Sequence, residues 1–282
     1  MSYSISSDNF QHPLLKPILE KLIAYFSDID IRFYVIGATA RDIIMDIHGE
    51  KSGRATHDLD IAIAISDWKE YKIIEEGIIN IDDFEKDNKQ KQRFIFRKEF
   101  ELDIVPFGDI MKENDKIFWP PDESFAMSVL GFSEVNDATT EVKIDDNLSV
   151  NVASLAGIFI LKIVAWSDRH HKSNKDADDI AFIISNYLNI NEKRAGEDYY
   201  DEIYLDENFT INLAGAKLLG IDSAIIFGKN QETKQKIIDI INDEIAKEEE
   251  SKLINQITET NTNFKYDETI NCLENIIIVL KN

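Results

Sequence analysis

The run Asp58-Leu59-Asp60-Ile61-Ala62-Ile63-Ala64-Ile65 constrains the fold more than any other segment. It is short, rich in isoleucine and alternates large with small residues, so it predicts a β-strand. Side chains at i and i+2 share a face of a strand. Leu59, Ile61, Ile63 and Ile65 therefore form one apolar face, and Asp58, Asp60, Ala62 and Ala64 form the other. A core accounts for the first face. It does not account for two carboxylates side by side on the second, which at about 4 Å repel by about 4 kcal/mol at an effective dielectric near 20. A divalent cation between them would turn that repulsion into coordination. The same pair also reads as two acids at a strand start facing water.

The flanking segments extend this reading. Leu14–Phe26 has helical apolar spacing, and Ile31–Ile36 is strand-like and closed by Gly37, with a helix expected from about Thr39 to Ile47. Gly37-Ala38-Thr39-Ala40-Arg41 thus joins a strand to a helix, where glycine allows backbone to approach a ligand and the helix start offers N–H groups to phosphate. Thr39 can add a hydroxyl. The segment reads equally as a tight turn without a ligand. Residues 48–57 read as a loop, and Ser66 as the N-cap of a helix through about Ile79. Gln92–Arg97 and Phe100–Phe107 alternate as a strand pair around Lys98-Glu99. On the second of these, Asp103 shares a face with Glu101 and Val105. If this strand lies beside the first, Asp103 completes a three-carboxylate cluster; otherwise it is an exposed acid on an edge strand. Residues 108–126, with Trp119-Pro120-Pro121, read as an irregular connection. Met127–Glu134, Glu141–Ile144 and Leu148–Val152 are further strand candidates.

After Ala153 the chain becomes rich in Ile, Leu, Lys and Glu at helical spacing and has no proline. This predicts an α+β organisation with a boundary near 152: an α/β half over 1–152, followed by a mostly helical half over 153–282. Lys162 lies inside the apolar run Ala156–Trp166, and such a lysine needs either an anionic partner or a route for its ammonium to water. Trp166 and Arg169 fall on its face at i+4 and i+7, so Lys162 and Arg169 can present two cations to a polyphosphate. In Lys172-Ser173-Asn174-Lys175-Asp176-Ala177-Asp178-Asp179, Asn174 or Ser173 can cap a helix whose positive end favours the three acids. His170 and His171 are adjacent, do not face each other on a helix, and are not read as ligands.

The 282 residues carry 53 acidic and 31 basic side chains, a formal charge of −22, which repels nucleic acid and anionic membrane at long range. A local basic groove remains open from Lys86, Lys89, Lys91, Arg93, Arg97 and Lys98, with Phe94 and Phe96 as stacking partners for bases; the alternative is a solvated hairpin. Cys272 is the only cysteine, so no intrachain disulfide or cysteine metal cluster is expected. The start, from Met1, has no basic region followed by an apolar core and reads as no signal peptide. No stretch reads as a membrane span. A cytoplasmic location is expected.

Taken together, Gly37-Ala-Thr-Ala-Arg41, Arg54-Ala-Thr-His-Asp58-Leu-Asp60 and Leu-Asp103-Ile resemble the nucleotidyltransferase superfamily of the DNA polymerase β type. Lys162-x-x-Ala165-x-x-x-Arg169, followed by Lys175-Asp176-x-x-Asp179-Ile180, resembles the AbiEii group of toxin nucleotidyltransferases. The resemblance implies a mixed sheet flanked by helices, and Mg²⁺- or Mn²⁺-dependent transfer of NMP from an NTP to an acceptor hydroxyl. The acceptor is an RNA such as tRNA, or a small molecule such as an antibiotic; a catalytically silent module that binds nucleotide or a partner is the third reading. It further implies metal ligation by Asp58, Asp60 and Asp103, triphosphate contacts at Gly37 and Lys162, a functional acid at Asp176, and an antitoxin protein as partner. Ala38 departs from the family pattern, which has glycine or serine there.

Overall fold

The computed structural model describes residues 3–54 and 56–282. Met1 and Ser2, the first two residues of the start that reads as no signal peptide, and Ala55, inside the Arg54–Asp60 motif, lie outside the described residues. The chain forms two compact units, residues 1–154 and 155–282.

The first unit is a mixed sheet with flanking helices. Its strands are β1 (Tyr3–Ile5), β2 (Phe33–Ile36), β3 (Asp58–Ile65), β4 (Phe84–Lys86), β5 (Arg93–Phe96), β6 (Phe100–Gly108), β7 (Lys116–Phe118), β8 (Ala126–Ser128), β9 (Thr140–Ile144) and β10 (Leu148–Val152). Its helices are α1 (Leu15–Asp28), α2 (Gly37–Ile47), α3 (Trp68–Ile79) and α4 (Phe132–Asp137). Eight strands form one sheet in the order β1-β9-β10-β2-β3-β6-β5-β4, and β7 and β8 form a separate hairpin. The acid-bearing β3 runs antiparallel to β2 and parallel to β6.

The alternation expected of β3 holds. Leu59, Ile61 and Ile63 are wholly buried and Ile65 nearly so, while Asp58 and Asp60 are half-buried. α1 buries Leu15, Ile18, Leu19, Leu22 and Phe26, one stripe at helical spacing. The β5–β6 hairpin turns at Arg97-Lys98, both in the left-handed region at φ 52° and 61°, and Glu99 N–H donates to the Phe96 carbonyl at 3.2 Å. That is a primed turn at Arg97-Lys98 within a three-residue connection that Glu99 completes, formed without the usual Asn-Gly.

Three local expectations are corrected. α2 starts at Gly37 rather than Thr39, because Gly37 takes φ +69° and turns the chain directly from β2 into the helix. The cap of α3 is Asp67, not Ser66: its carboxylate accepts from the N–H groups of Lys69 and Glu70, while Ser66 N–H donates to Glu70. Met127–Glu134 is not one strand. β8 ends at Ser128, Gly131 at φ +83° breaks the extended path, and α4 buries Phe132 and Val135 on one face.

The second unit is helical: α5 (Leu155–Arg169), α6 (Lys175–Ile190), α7 (Glu192–Asp198), α8 (Tyr200–Tyr204), α9 (Ile211–Phe227), α10 (Gln231–Ile245), α11 (Lys252–Thr260) and α12 (Tyr266–Lys281). α9 packs against α5, α6 and α12. It approaches α6 closely because Gly215 lacks a side chain: a Cβ there would lie 2.5 Å from the Ile184 carbonyl oxygen. α5 is buried on most of its circumference, which explains why its sequence is nearly all apolar. Among the described residues no helix is long and apolar enough to cross a membrane.

Candidate active site

The two aspartates of β3 are held from both neighbouring strands. The parallel register pairs Asp58 with Glu101 and Asp60 with Asp103. Adjacent strands lie about 4.8 Å apart, so Asp60 and Asp103 are side by side on the same face. On the other side, Ile36 of β2 pairs with Asp60, which brings the next residue, Gly37, against the Asp60 side chain. A Cβ at Gly37 would lie 2.3 Å from Asp60 Oδ2. Glycine is thus required twice, by its positive φ and by this approach. The start of α2 is thereby fixed beside the carboxylate pair.

Two hydroxyls order Asp58. Thr39 Oγ1 donates to its backbone carbonyl at 2.8 Å, and Thr56 Oγ1 donates to its carboxylate Oδ1. Thr39 therefore braces the strand through α2, a role that the sequence pattern did not reveal. Ala38, Thr39 and Arg41 are buried. The Arg41 guanidinium donates to Asp42 at 2.7 and 2.9 Å and to the Arg54 carbonyl at 3.0 Å, tying α2 to the loop before β3. A cavity of about 480 Å³ lies behind these hydroxyls, with Phe10, His12, Asp42, Asp46 and Phe100 in its wall together with Thr39 and Thr56.

Asp103 is shared differently. Arg93 of β5 stands opposite it in the antiparallel register. Arg93 Nε donates to Oδ1 at 2.7 Å and Nη2 to Oδ2 at 2.9 Å, a two-point fork, while Nη1 meets Glu101. The hydrogen bond to Asp103 raises the Arg93 pKa above its ordinary range against the opposing effect of burial. Among the described residues no group of three or more His, Cys, Asp or Glu side chains is gathered as a metal-holding cluster. The structure thus brings Asp60 and Asp103 to neighbouring positions, with the Asp103 carboxylate engaged by Arg93. The donor chemistry, carboxylate oxygens on one face, suits a hard divalent cation.

The stacking groove is corrected. Phe94 and Phe96 are wholly buried and cannot receive bases. Four of the six cations around them are paired: Lys86 with Glu75 at 2.8 Å, Lys91 with Asp122 at 3.0 Å, Arg97 with Asp83 at 3.1 Å, and Arg93 as above.

In the helical unit, Lys162 has found the anionic partners its burial demands. Its Nζ lies 3.0 Å from Asp176 Oδ1 and 2.7 Å from Asp179 Oδ2, and those two side chains are 2% and 1% exposed. Arg169 forks onto Asp176 with Nε at 2.7 Å and Nη2 at 2.8 Å. Burial alone would lower the Lys162 pKa; Asp179 and Asp176 outweigh it and raise it. Burial alone would raise the Asp176 pKa; Arg169 and Lys162 bring it down to about 2. The acids at the start of α6 therefore serve an ion network more than a cap. Asn174 makes no side-chain cap bond, and Ser173 Oγ accepts from Lys175 N–H at 3.3 Å. His170 stacks on Trp166 with ring centroids 4.6 Å apart.

The family described as "Nucleotidyl transferase AbiEii toxin, Type IV TA system" matches residues 21–258, and the chain belongs to it. It is a member of a nucleotidyltransferase enzyme family associated with toxin–antitoxin systems. Comparison with curated proteins gives no match. Among solved structures, the chain is similar to an antigenic nucleotidyltransferase-like protein from Paracoccidioides brasiliensis, at 14% identity and TM-score 0.40, over 70% of this chain and 92% of that one. ANT(2")-Ia in complex with adenylyl-2"-tobramycin matches at 10% identity and TM-score 0.36, over 64% and 94%. The Thermotoga maritima CCA-adding enzyme complexed with tRNA matches at 11% and 0.29, over 96% and 82%.

Proposed function

We propose that the chain transfers NMP from an NTP to an acceptor hydroxyl, at a site formed by Asp58, Asp60 and Asp103 with the Gly37 end of α2. The carrying observation is the register of Asp60 beside Asp103 with Gly37 pressed against Asp60. Phosphoryl transfer depends on positioning and charge neutralisation, and this arrangement supplies the positioning and carboxylate ligands for a neutralising cation. The backbone N–H groups at the start of α2 receive phosphate oxygens at the positive helix end. Asp58 and Asp60, with Asp103, would hold Mg²⁺ or Mn²⁺. When bound, the metal supplies neutralisation of the developing charge. Asp103 accepts the proton of the acceptor hydroxyl; the acceptor oxygen bonds to the α-phosphorus and the bond to pyrophosphate breaks. Lys162, Arg169 and Asp176 act as a unit that shapes the helical half.

An RNA end, tRNA among them, is the acceptor that a toxin role favours, with the antitoxin as the partner that restrains it. A small hydroxylated acceptor is the second reading. It is supported by the charge of −22 and by burial of the two phenylalanines that a base-stacking groove would need. The test is incubation with each labelled NTP and Mg²⁺, with total cellular RNA in one arm and a panel of small polyols and amino-sugars in the other. Label is expected on a discrete RNA band, and Asp60→Asn should abolish it while leaving the circular dichroism spectrum unchanged. Equal labelling by Asp60→Asn would refute the assignment of the site.

A further inference from the structure

Asp103 lies between two rivals. Asp60 on β3 is its register partner on one side, and Arg93 on β5 is its partner on the other. Both oxygens of Asp103 receive Arg93 N–H groups, at 2.7 and 2.9 Å. Those in-plane lone pairs are the ones a carboxylate offers to a metal. Gln92, buried next to Arg93, has its Nε2 3.5 Å from Asp103 Oδ2, so the β5 side closes over this carboxylate. Arg93 also binds Glu101 and is itself only 21% exposed, which keeps the guanidinium in place. Strand spacing is such that rotation about the Asp103 side-chain torsions moves the carboxylate from the Arg93 side toward the Asp60 side.

We propose that Arg93 is a positioning residue that competes with the divalent cation for Asp103 and thereby sets the metal affinity of the site. This rests on the reading of Asp58, Asp60 and Asp103 as metal ligands. Arg93 keeps the third carboxylate neutralised until a divalent cation draws it toward Asp60. A purely structural strap between β5 and β6 would stabilise the hairpin and leave metal affinity alone.

The test is Mn²⁺ binding to the full chain without nucleotide, read from the free-ion paramagnetic resonance signal. Arg93→Gln is expected to tighten Mn²⁺ binding by about tenfold, since it removes the competitor for both oxygens of Asp103. Adding Asp103→Asn should erase that gain. Unchanged or weaker binding by Arg93→Gln overturns the proposal, as does a gain that persists with Asp103→Asn, which would mean general charge rather than competition. Should Arg93→Gln not fold, Arg93→Lys keeps the charge but loses the fork; it should bind a few-fold more tightly than the parent, and parental affinity would overturn the proposal. Asp60→Asn separates the two levels. If it weakens Mn²⁺ binding while Arg93→Gln has no effect, only the role of Arg93 fails. If Asp60→Asn has no effect, the metal-site reading fails too.

Discussion

Lys162→Met should destabilise the folded chain by about 3–5 kcal/mol, the range for removing one partner of a buried ion pair. The ammonium sits 3.0 and 2.7 Å from two carboxylates that are 2% and 1% exposed. Methionine fills nearly the same space, so packing is kept and the effect reports charge. Asp176 retains the Arg169 fork, whereas Asp179 loses its ammonium. Converting both acids in that background, as Lys162→Met with Asp176→Asn and Asp179→Asn, should recover part of the loss, because no buried charge then stands opposite methionine. The assay is urea unfolding of the full chain followed by circular dichroism. The pH dependence has a definite sign. Asp176 titrates at about 2 when folded against 3.8 in the reference state, so it contributes about 2 kcal/mol above pH 3.8, lost as pH falls through about 2. Lys162 is raised above 10.5, so its contribution is complete below pH 10.5 and lost as pH rises past its folded value. The gap between parent and Lys162→Met should therefore be widest from about pH 4 to 10. A loss under about 1 kcal/mol, or a triple variant no more stable than Lys162→Met, would refute the reasoning.

Gly37→Ala places a methyl group 2.3 Å from Asp60 Oδ2 at a position with φ +69°. It should cost about 2 kcal/mol and weaken Mn²⁺ and NTP binding together; binding at parental strength in calorimetry would mean the close approach has no functional consequence. Lys98 sits exposed at φ 61° in the β5–β6 turn, so Lys98→Gly should stabilise by about 1 kcal/mol; destabilisation in the urea assay would contradict the assigned turn.

The faces of β3 and β6 were legible because the strand period is two and each alternates where it carries its acids: Leu59, Ile61 and Ile63 on one strand, Phe100, Leu102 and Ile104 on the other, all buried. The strand candidate over Met127–Glu134 failed because its apolar residues serve two different elements on either side of Gly131, and a short apolar run does not reveal such a break. Lys162 was recognisable as a lysine in need of an anion. Its partners were not, although Asp176 and Asp179 stand at i, i+3 and so share a face of α6. As acids at a helix start they have a local and sufficient reason in the helix dipole. Tertiary pairing overrode that local explanation.

The register of the site divides along the same line. In an antiparallel hairpin, paired positions keep a constant sum, so the three-residue connection Arg97-Lys98-Glu99 couples Phe96 to Phe100 and, three residues back, Arg93 to Asp103. That contact was available from the sequence once the turn length was known. The turn was obscured because two residues with side chains occupy the left-handed positions where Asn-Gly is expected. Asp60 beside Asp103 is a different case. β3 and β6 are parallel, and α3, β4 and β5 intervene between them. No turn geometry carries register across such a connection. Alternation settles only that the two acids share a face; it leaves open every even shift along the strands. Packing of the apolar faces selects the shift, and it selects the one that stacks acid beside acid. Two carboxylates so placed gain nothing from one another, which is why a cation, Arg93 in the fold and a metal ion in the proposed reaction, belongs to this register as much as the strands do.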